Sequence, residues 1–456
     1  MLTDHHRDIS YRRILALAWP ASIASSITPL LGAIDVWALG QSPRPLAIAA
    51  VGLAATLFSL AYWTCGFIRM SVAGLTAQAI GANDFGEARL AFARALALGL
   101  VIGIVMVIFQ WPISQLSFHL LGLGSQASAQ TFHDAEQYFN IRIWGAPFAL
   151  ATYACLGWLT ARGRTDLLMI SAVATTMLNA VLDIIFVLHF DKGVAGIALG
   201  TLIAEVAGFL ISAWFVARIL SQDGLLRTPI DKLTLLNKSA MSRMATVNAD
   251  IFIRTLLLAF SFSWFIQRGS AFGDVVLAAN QLLLQLFLFT GLALDGSAIA
   301  AETLVGRVMG ERDKRQALER YSIILRRGFV LASAGAVLFS LVYLIAGDQL
   351  IRLLTDSEQI SASAIMYMPW VIVSPFVVMV CFQLDGIFVG ATRSRAMRDT
   401  MIISVIVFVP LSLWLAGLMG NHGLWLAFMM YFLARGITLA MALPGIKKAI
   451  ISPANS

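Results

Sequence analysis

Charge is scarce in this sequence. Only 12% of its 456 residues are charged, against about 25% in an ordinary soluble domain. Hydrophobic residues make up 59%, and the mean hydropathy is +0.82. Too few charges remain to cover a water-exposed surface, so composition indicates a polytopic membrane protein. Cysteine is nearly absent as well. Cys65, Cys155 and Cys381 each lie in an apolar run and none forms a CxxC pair, which argues against a disulfide framework or a zinc site. No phosphate-cradling GxxxxGK[ST] loop occurs, so ATP-driven pumping is disfavoured. No DDxxD-type acidic cluster and no loop long enough for a catalytic domain is present, which argues against a membrane-embedded transferase. The expectation is a non-enzyme without a cofactor. The leading MLTDHHRDISYRR carries acidic residues, and no small-residue cleavage site follows it early in the first apolar run, so that run reads as a retained signal-anchor helix.

Apolar runs bounded by charge or Gly/Pro clusters predict an all-α protein of twelve transmembrane helices. They fall near 12–40, 46–80, 88–113, 131–161, 165–188 and 193–218, then near 236–267, 274–306, 315–346, 357–391, 396–418 and 421–446. The net charge of +7 invites a nucleic-acid reading, but the placement of the basic residues opposes it. With the N-terminus taken as cytoplasmic, only Arg44, Lys192, Arg268 and Arg352 fall outside, and Arg69, Arg142, Arg254 and Arg435 fall within spans. All the other lysines and arginines lie inside. This alternation follows the positive-inside rule and predicts both termini in the cytoplasm, with no nucleic-acid partner.

The polar linker 222–238 divides the chain into a first lobe, 1–221, and a second lobe, 239–456. Two motifs recur at one offset of 229 residues. GWL before ARGRT (157–165) matches GIF before ATRSR (386–395), and Gly81 in QAIGANDFGEA matches Gly310 in RVMGERDKRQA. Shared spacing predicts a duplication, and an even number of spans per half makes the two lobes parallel repeats around a central cavity.

A carboxylate at the centre of a membrane helix costs about 2.5–3.5 kcal/mol on insertion scales, so each is a candidate for function. WPASIASSITPLLGAID (19–35) carries Pro20 and Pro29 and ends in Asp35. Its prolines delete backbone donors and invite a kink. Asn179 and Asp183, four residues apart, share one helical face, and Thr201 follows in the same lobe. With Asp35 they form an oxygen-rich set that suits Na⁺ or, through paired carboxylates, a proton. Independent, hydrogen-bonded carboxylates are the competing explanation, and spacing does not decide between them. In the second lobe, Asp250 and Arg254 are four apart and are expected to pair, most simply as a structural ion pair. Asp295 and Glu302 share a face, with Glu302 close to the inside end, where Arg307 or solvent can satisfy it. Asp385 lies deeper, and a cavity role and a structural one are equally open. Arg69 and Arg435 read as counter-ions or snorkelling side chains. The 17 methionines and 28 phenylalanines are core or lipid-facing, and some could line a cavity for bulky apolar cargo.

The Pro20…Asp35 spacing, NAVLDIIF around Asn179 and Asp183, and Thr201 resemble the multidrug and toxic compound extrusion (MATE) transporters. NADIFIRT, AANQLLLQ, LDGSAIAAETLVG and LDGIFVGATRSRAMRD in the second half are similar to the DinF-like branch of that family. Ser297 and Arg307 depart from the family's usual aromatic and glutamine-like positions. The resemblance implies two six-helix lobes in a V shape, a monomer in the bacterial inner membrane, and export of cationic or amphipathic organic compounds by antiport with H⁺ or Na⁺. It implies a cation or proton site at Asp35, Asn179, Asp183 and Thr201, and a first helix that bends at Pro20. Asp385, Asp295, Glu302, Asp250 and Arg254 are candidates for a second-lobe site or for gating, with Asp385 at the position of a second-lobe cation aspartate in other branches. The alternative is a flippase for lipid-linked oligosaccharides in the same broader superfamily. A strongly basic cavity would favour it, and few arginines lie within the spans.

Overall fold

The computed structural model describes residues 9–40, 46–120, 129–225 and 231–451; in the first helix the side chains at 28–33 and 35–40 fall outside the description. Among the described residues every regular element is a helix, and no strand occurs. Ten helices among them are long and apolar enough to cross a bilayer. The fourth expected span is interrupted. Helix α6 (Ala129–Arg142) runs into a 3₁₀ turn, Ile143–Gly145, and α7 (Ala146–Ala161) restarts with Pro147 in its first turn. At 16 residues α7 is about 24 Å long, short of a full crossing.

Polar side chains fix several helix starts. Asp84 accepts from the Glu87 amide at 2.9 Å and starts α4 (Phe85–Ile108). Asp313 accepts from the amides of Arg315 and Gln316 and starts α13 (Lys314–Leu354). Such caps satisfy amide donors left over in a first helical turn. Once the helices form, their packing follows membrane rules, because lipid supplies no hydrophobic drive and small residues must bring backbones together.

Contacts divide the chain into two compact units. One comprises Met1–Ser25, Ala77–Asn83 and Arg243–Ser456; the other Ser26–Thr76 and Asp84–Ser242. In the first, α12 (Asp274–Gly310) and α14 (Glu358–Gly390) touch backbone to backbone. A β-carbon on Gly386 would lie 2.1 Å from the Ala298 carbonyl oxygen, and one on Gly390 2.4 Å from that of Glu302. The start of α1 (Tyr11–Gly40) docks on α12 by the same means. Gly296 faces the Ala18 carbonyl and Ser22, whose hydroxyl donates to the Ala293 carbonyl at 2.6 Å. Elsewhere in this unit an aromatic cluster centres on Phe428, with the rings of Phe265, Phe287, Phe408 and Phe432 4.6–5.9 Å away.

The second unit repeats details of the first at the offset read from the sequence. Gly157 faces the Arg69 carbonyl oxygen as Gly386 faces that of Ala298. The turns after α7 and α14 place Gly163 (φ 71°) and Thr392 (φ 50°) in the left-handed region. Arg164 and Arg393 then donate to the Leu159 and Phe388 carbonyls at 2.9 Å, the same helix-ending turn in both units. Gly81 and Gly310, both in the first unit, make reciprocal contacts. Gly81 faces the Arg307 carbonyl, and Gly310 that of Gln78.

Candidate ion site

Helices α8 (Thr165–Ile184) and α9 (Gly193–Gln222) of the second unit build the site. Gly196, Gly200, Ala204, Gly208 and Ser212 recur every four residues on α9 and form a shallow ridge along which α8 lies. Gly208 admits Thr175, Gly196 admits Phe186, and Gly200 admits Asp183. A β-carbon at position 200 would sit 2.3 Å from Asp183 Oδ1, so the carboxylate occupies space that only glycine leaves. Asn179 and Asp183 are fully buried and Thr201 is 2% exposed. Asn179 Nδ2 donates to Thr201 Oγ1 at 3.3 Å, while the Thr201 hydroxyl donates to the Ile197 carbonyl at 3.0 Å. Asn179 Oδ1 is buried without a hydrogen-bond partner. Immediately after Asp183 the helix widens into a π segment, Ile185–His189; such segments recur at functional sites.

The amide and the hydroxyl are therefore in contact, and the carboxylate packs against Gly200, the residue before Thr201. Their combined chemistry is that of hard oxygen ligands, suited to a proton or an alkali cation. Asp35 lies in α1, but its side chain is outside the described residues. Pro20 is buried within the same helix. Among the described residues no group of three or more His, Cys, Asp or Glu side chains could hold a metal ion.

The second-half charges pair differently from the expectation. Asp250 does not pair with Arg254. It accepts from Arg398 at 2.6 Å and from the Ser394 hydroxyl at 2.8 Å, both on α15 (Ser394–Met419). Arg254, on α11 (Lys238–Gly269), reaches Asp385 on α14 at 2.6 Å, and Arg435 on α16 (Asn421–Ile451) bonds to the same carboxylate oxygen. Sharing a helical face allowed an i,i+4 pair, but both side chains point at neighbouring helices, where closer partners stand. Arg435 is a counter-ion, one of the two roles expected of it. Asp295 Oδ2 is 3.5 Å from the Ser25 hydroxyl, and Glu302 is 2% exposed.

Two further features lie outside the motifs. The glycine ridge that makes room for Asp183 was visible as GIALGTLIAEVAG (196–208), a four-residue repeat of small residues. Arg142 is the second. It donates to the Tyr138 hydroxyl at 2.6 Å, approaches Glu205 at 3.4 Å and lies 4.8 Å from the Phe58 ring centroid. Beyond the four-residue spacing of Tyr138 and Arg142 this buried network had no local sequence signal, because its members come from three separate elements.

Ten bilayer-length helices among the described residues, with charged groups sequestered between them, define a multi-pass membrane protein. The MatE family model matches it twice, over residues 20–185 and 251–415. The chain is 36% identical to DNA damage-inducible protein F of Escherichia coli over 424 residues, covering 93% of this chain and 90% of that protein. It is 20% identical to the multidrug export protein MepA of Staphylococcus aureus over 413 residues, covering 91% of this chain and 89% of MepA. The crystal structure of the Vibrio cholerae MATE transporter VcmN in the bent form has the same fold, with a TM-score of 0.82, 19% identity and 98% of each chain covered. The chain belongs to the MatE family of transporters, in its DinF-like branch. It is a transporter and not an enzyme.

Proposed function

We propose that this protein is a secondary active antiporter that exports bulky cationic or amphipathic organic compounds against an inward flow of H⁺ or Na⁺. It works as a monomer of twelve spans in two six-helix lobes, 1–221 and 239–456, joined by a cytoplasmic linker, with both termini in the cytoplasm. Asp35, Asn179, Asp183 and Thr201 bind the coupling ion. Its entry neutralises or occupies the carboxylates, the first helix bends at Pro20, the first-lobe cavity shrinks, and cargo is released outward as the lobes rock. Pro20 has no amide hydrogen to donate four residues back, which lowers the cost of bending there. An ion shifts such an equilibrium only by its differential affinity for the two states, so the site must change shape as the helix moves.

One observation carries the reading. Asn179 Oδ1, an amide oxygen buried away from water without a hydrogen-bond donor, stands one helical turn from the buried Asp183 carboxylate. Such an acceptor costs about 1–3 kcal/mol if left unsatisfied, and a cation or a protonated neighbour would satisfy it.

The test is efflux of a fluorescent cationic dye from proteoliposomes under an imposed pH or Na⁺ gradient. Gradient-driven export by the wild type, lost in Asp35→Asn while the protein stays folded, is the expected result. Full transport by Asp35→Asn would remove this mechanism. No response of the wild type to either gradient would favour a flippase of lipid-linked oligosaccharides.

A further inference from the structure

The Arg254–Asp385–Arg435 cluster combines two guanidinium groups with one carboxylate. Arg254 is 6%, Asp385 5% and Arg435 1% exposed. Both guanidiniums reach the same oxygen, Asp385 Oδ2. Asp385 Oδ1, Arg254 Nε and Arg435 Nη1 are all buried without a hydrogen-bond partner. The neighbours that act electrostatically on the arginines, Tyr431 and Cys381, are uncharged groups already engaged elsewhere. The Tyr431 hydroxyl donates to Met401 Sδ at 3.0 Å, and Cys381 Sγ donates to the Phe432 carbonyl at 2.9 Å. Asp250, one turn before Arg254, is taken up by Arg398 and Ser394.

The cluster thus carries a net charge of +1 inside the apolar part of a membrane protein, with two N–H donors unspent. A buried ion pair is tolerated when charges cancel and hydrogen bonds are complete; here neither condition holds. It also opposes the expectation that Asp385 holds a coupling cation, because the two guanidiniums on its Oδ2 more than neutralise the carboxylate and would repel one.

We propose that Arg254 and Arg435, held in place by Asp385, form a binding site for one monovalent anionic group, either an inorganic anion or a carboxylate on the cargo. The two idle donors supply its hydrogen bonds, and its charge brings the cluster to neutrality. Asp385 is a positioning residue: it aligns both guanidiniums and weakens the site enough for the anion to leave. The site lies on α11, α14 and α16 of the first unit, and does not depend on ion coupling at Asp183.

The test uses the full chain in nanodiscs, with thermal stability followed as chloride replaces sulfate, a divalent anion that would overcharge the site, at constant ionic strength. Wild type is expected to gain stability with chloride and to saturate. In Arg435→Gln the cluster is neutral, and the chloride response should disappear. In Asp385→Asn the charge rises to +2, and chloride should bind at least about tenfold more tightly, since a charge a few ångströms away outweighs the ~1.4 kcal/mol which that factor requires. A purely structural cluster predicts instead that both variants lose stability and that neither changes its anion dependence. Arg435→Lys, which keeps the charge, should retain a chloride response. Competition between chloride and a fluorescent amphipathic carboxylate in the wild type would mark the cargo carboxylate as an occupant, and chloride binding without competition would mark an inorganic anion. A wild type indifferent to chloride and to the carboxylate overturns the proposal.

Discussion

Gly200→Ala separates the proposed ion site from the scaffold that carries it. The added β-carbon would lie 2.3 Å from Asp183 Oδ1, against the 3.4–4 Å of an ordinary contact, so the carboxylate must retreat by more than an ångström. A side chain forced about 30° from its rotamer costs about 0.5–1.5 kcal/mol. Alanine in a helix interior returns about 0.8–1 kcal/mol relative to glycine. The two nearly cancel, so folding stability should barely change. Ion binding should suffer far more. Losing one charge-assisted contact of about 1.5–3 kcal/mol weakens the site by about 10- to 150-fold. The assay is thermal unfolding in nanodiscs beside gradient-driven efflux in proteoliposomes. Near-native unfolding with export reduced at least tenfold is expected. Wild-type export by a folded Gly200→Ala would refute the reasoning, since the carboxylate would then not need its place.

Other substitutions probe the scaffold. Gly386→Ala drives a β-carbon to 2.1 Å from a main-chain oxygen on α12, which cannot turn aside as a carboxylate can. A loss of about 1–3 kcal/mol is expected in unfolding experiments, and no loss would show that the two helices can separate freely. For the corrected ion pairs, a double-mutant cycle on Asp250 and Arg398 should give a coupling of about 0.5–3 kcal/mol. The same cycle on Asp250 and Arg254 should give a clearly smaller one, and equal couplings would restore the pairing inferred from spacing.

The fold was legible where it depends on composition and period. Spans expected near 274–306, 357–391, 396–418 and 421–446 correspond to Asp274–Gly310, Glu358–Gly390, Ser394–Met419 and Asn421–Ile451. The repeat offset, taken from Gly157/Gly386 and Gly81/Gly310, reappears as matched backbone contacts because both copies need glycine for the same close approach. Other features were not legible because they depend on neighbours. The π segment at Ile185–His189 is a choice of hydrogen-bond register that no local signal marks. Asp250 found Arg398 and Arg254 found Asp385 because reach across a helix interface decides ion pairs, and periodicity reports only which face a side chain leaves. The site itself was half visible. Asn179 and Asp183 announced a shared face, but only the fold brings Thr201 within 3.3 Å and shows Gly200 as the floor on which Asp183 rests.

In the proposed mechanism the Asp183 carboxylate binds the coupling ion. Asp183→Asn keeps the shape of the side chain and removes its charge, so it tests that claim alone. In proteoliposomes loaded with a fluorescent cationic dye, imposing the pH or Na⁺ gradient that accelerates wild-type export should leave the Asp183→Asn rate at its gradient-free value, with dye still bound by the folded protein. Acceleration of the mutant equal to that of the wild type would contradict the account.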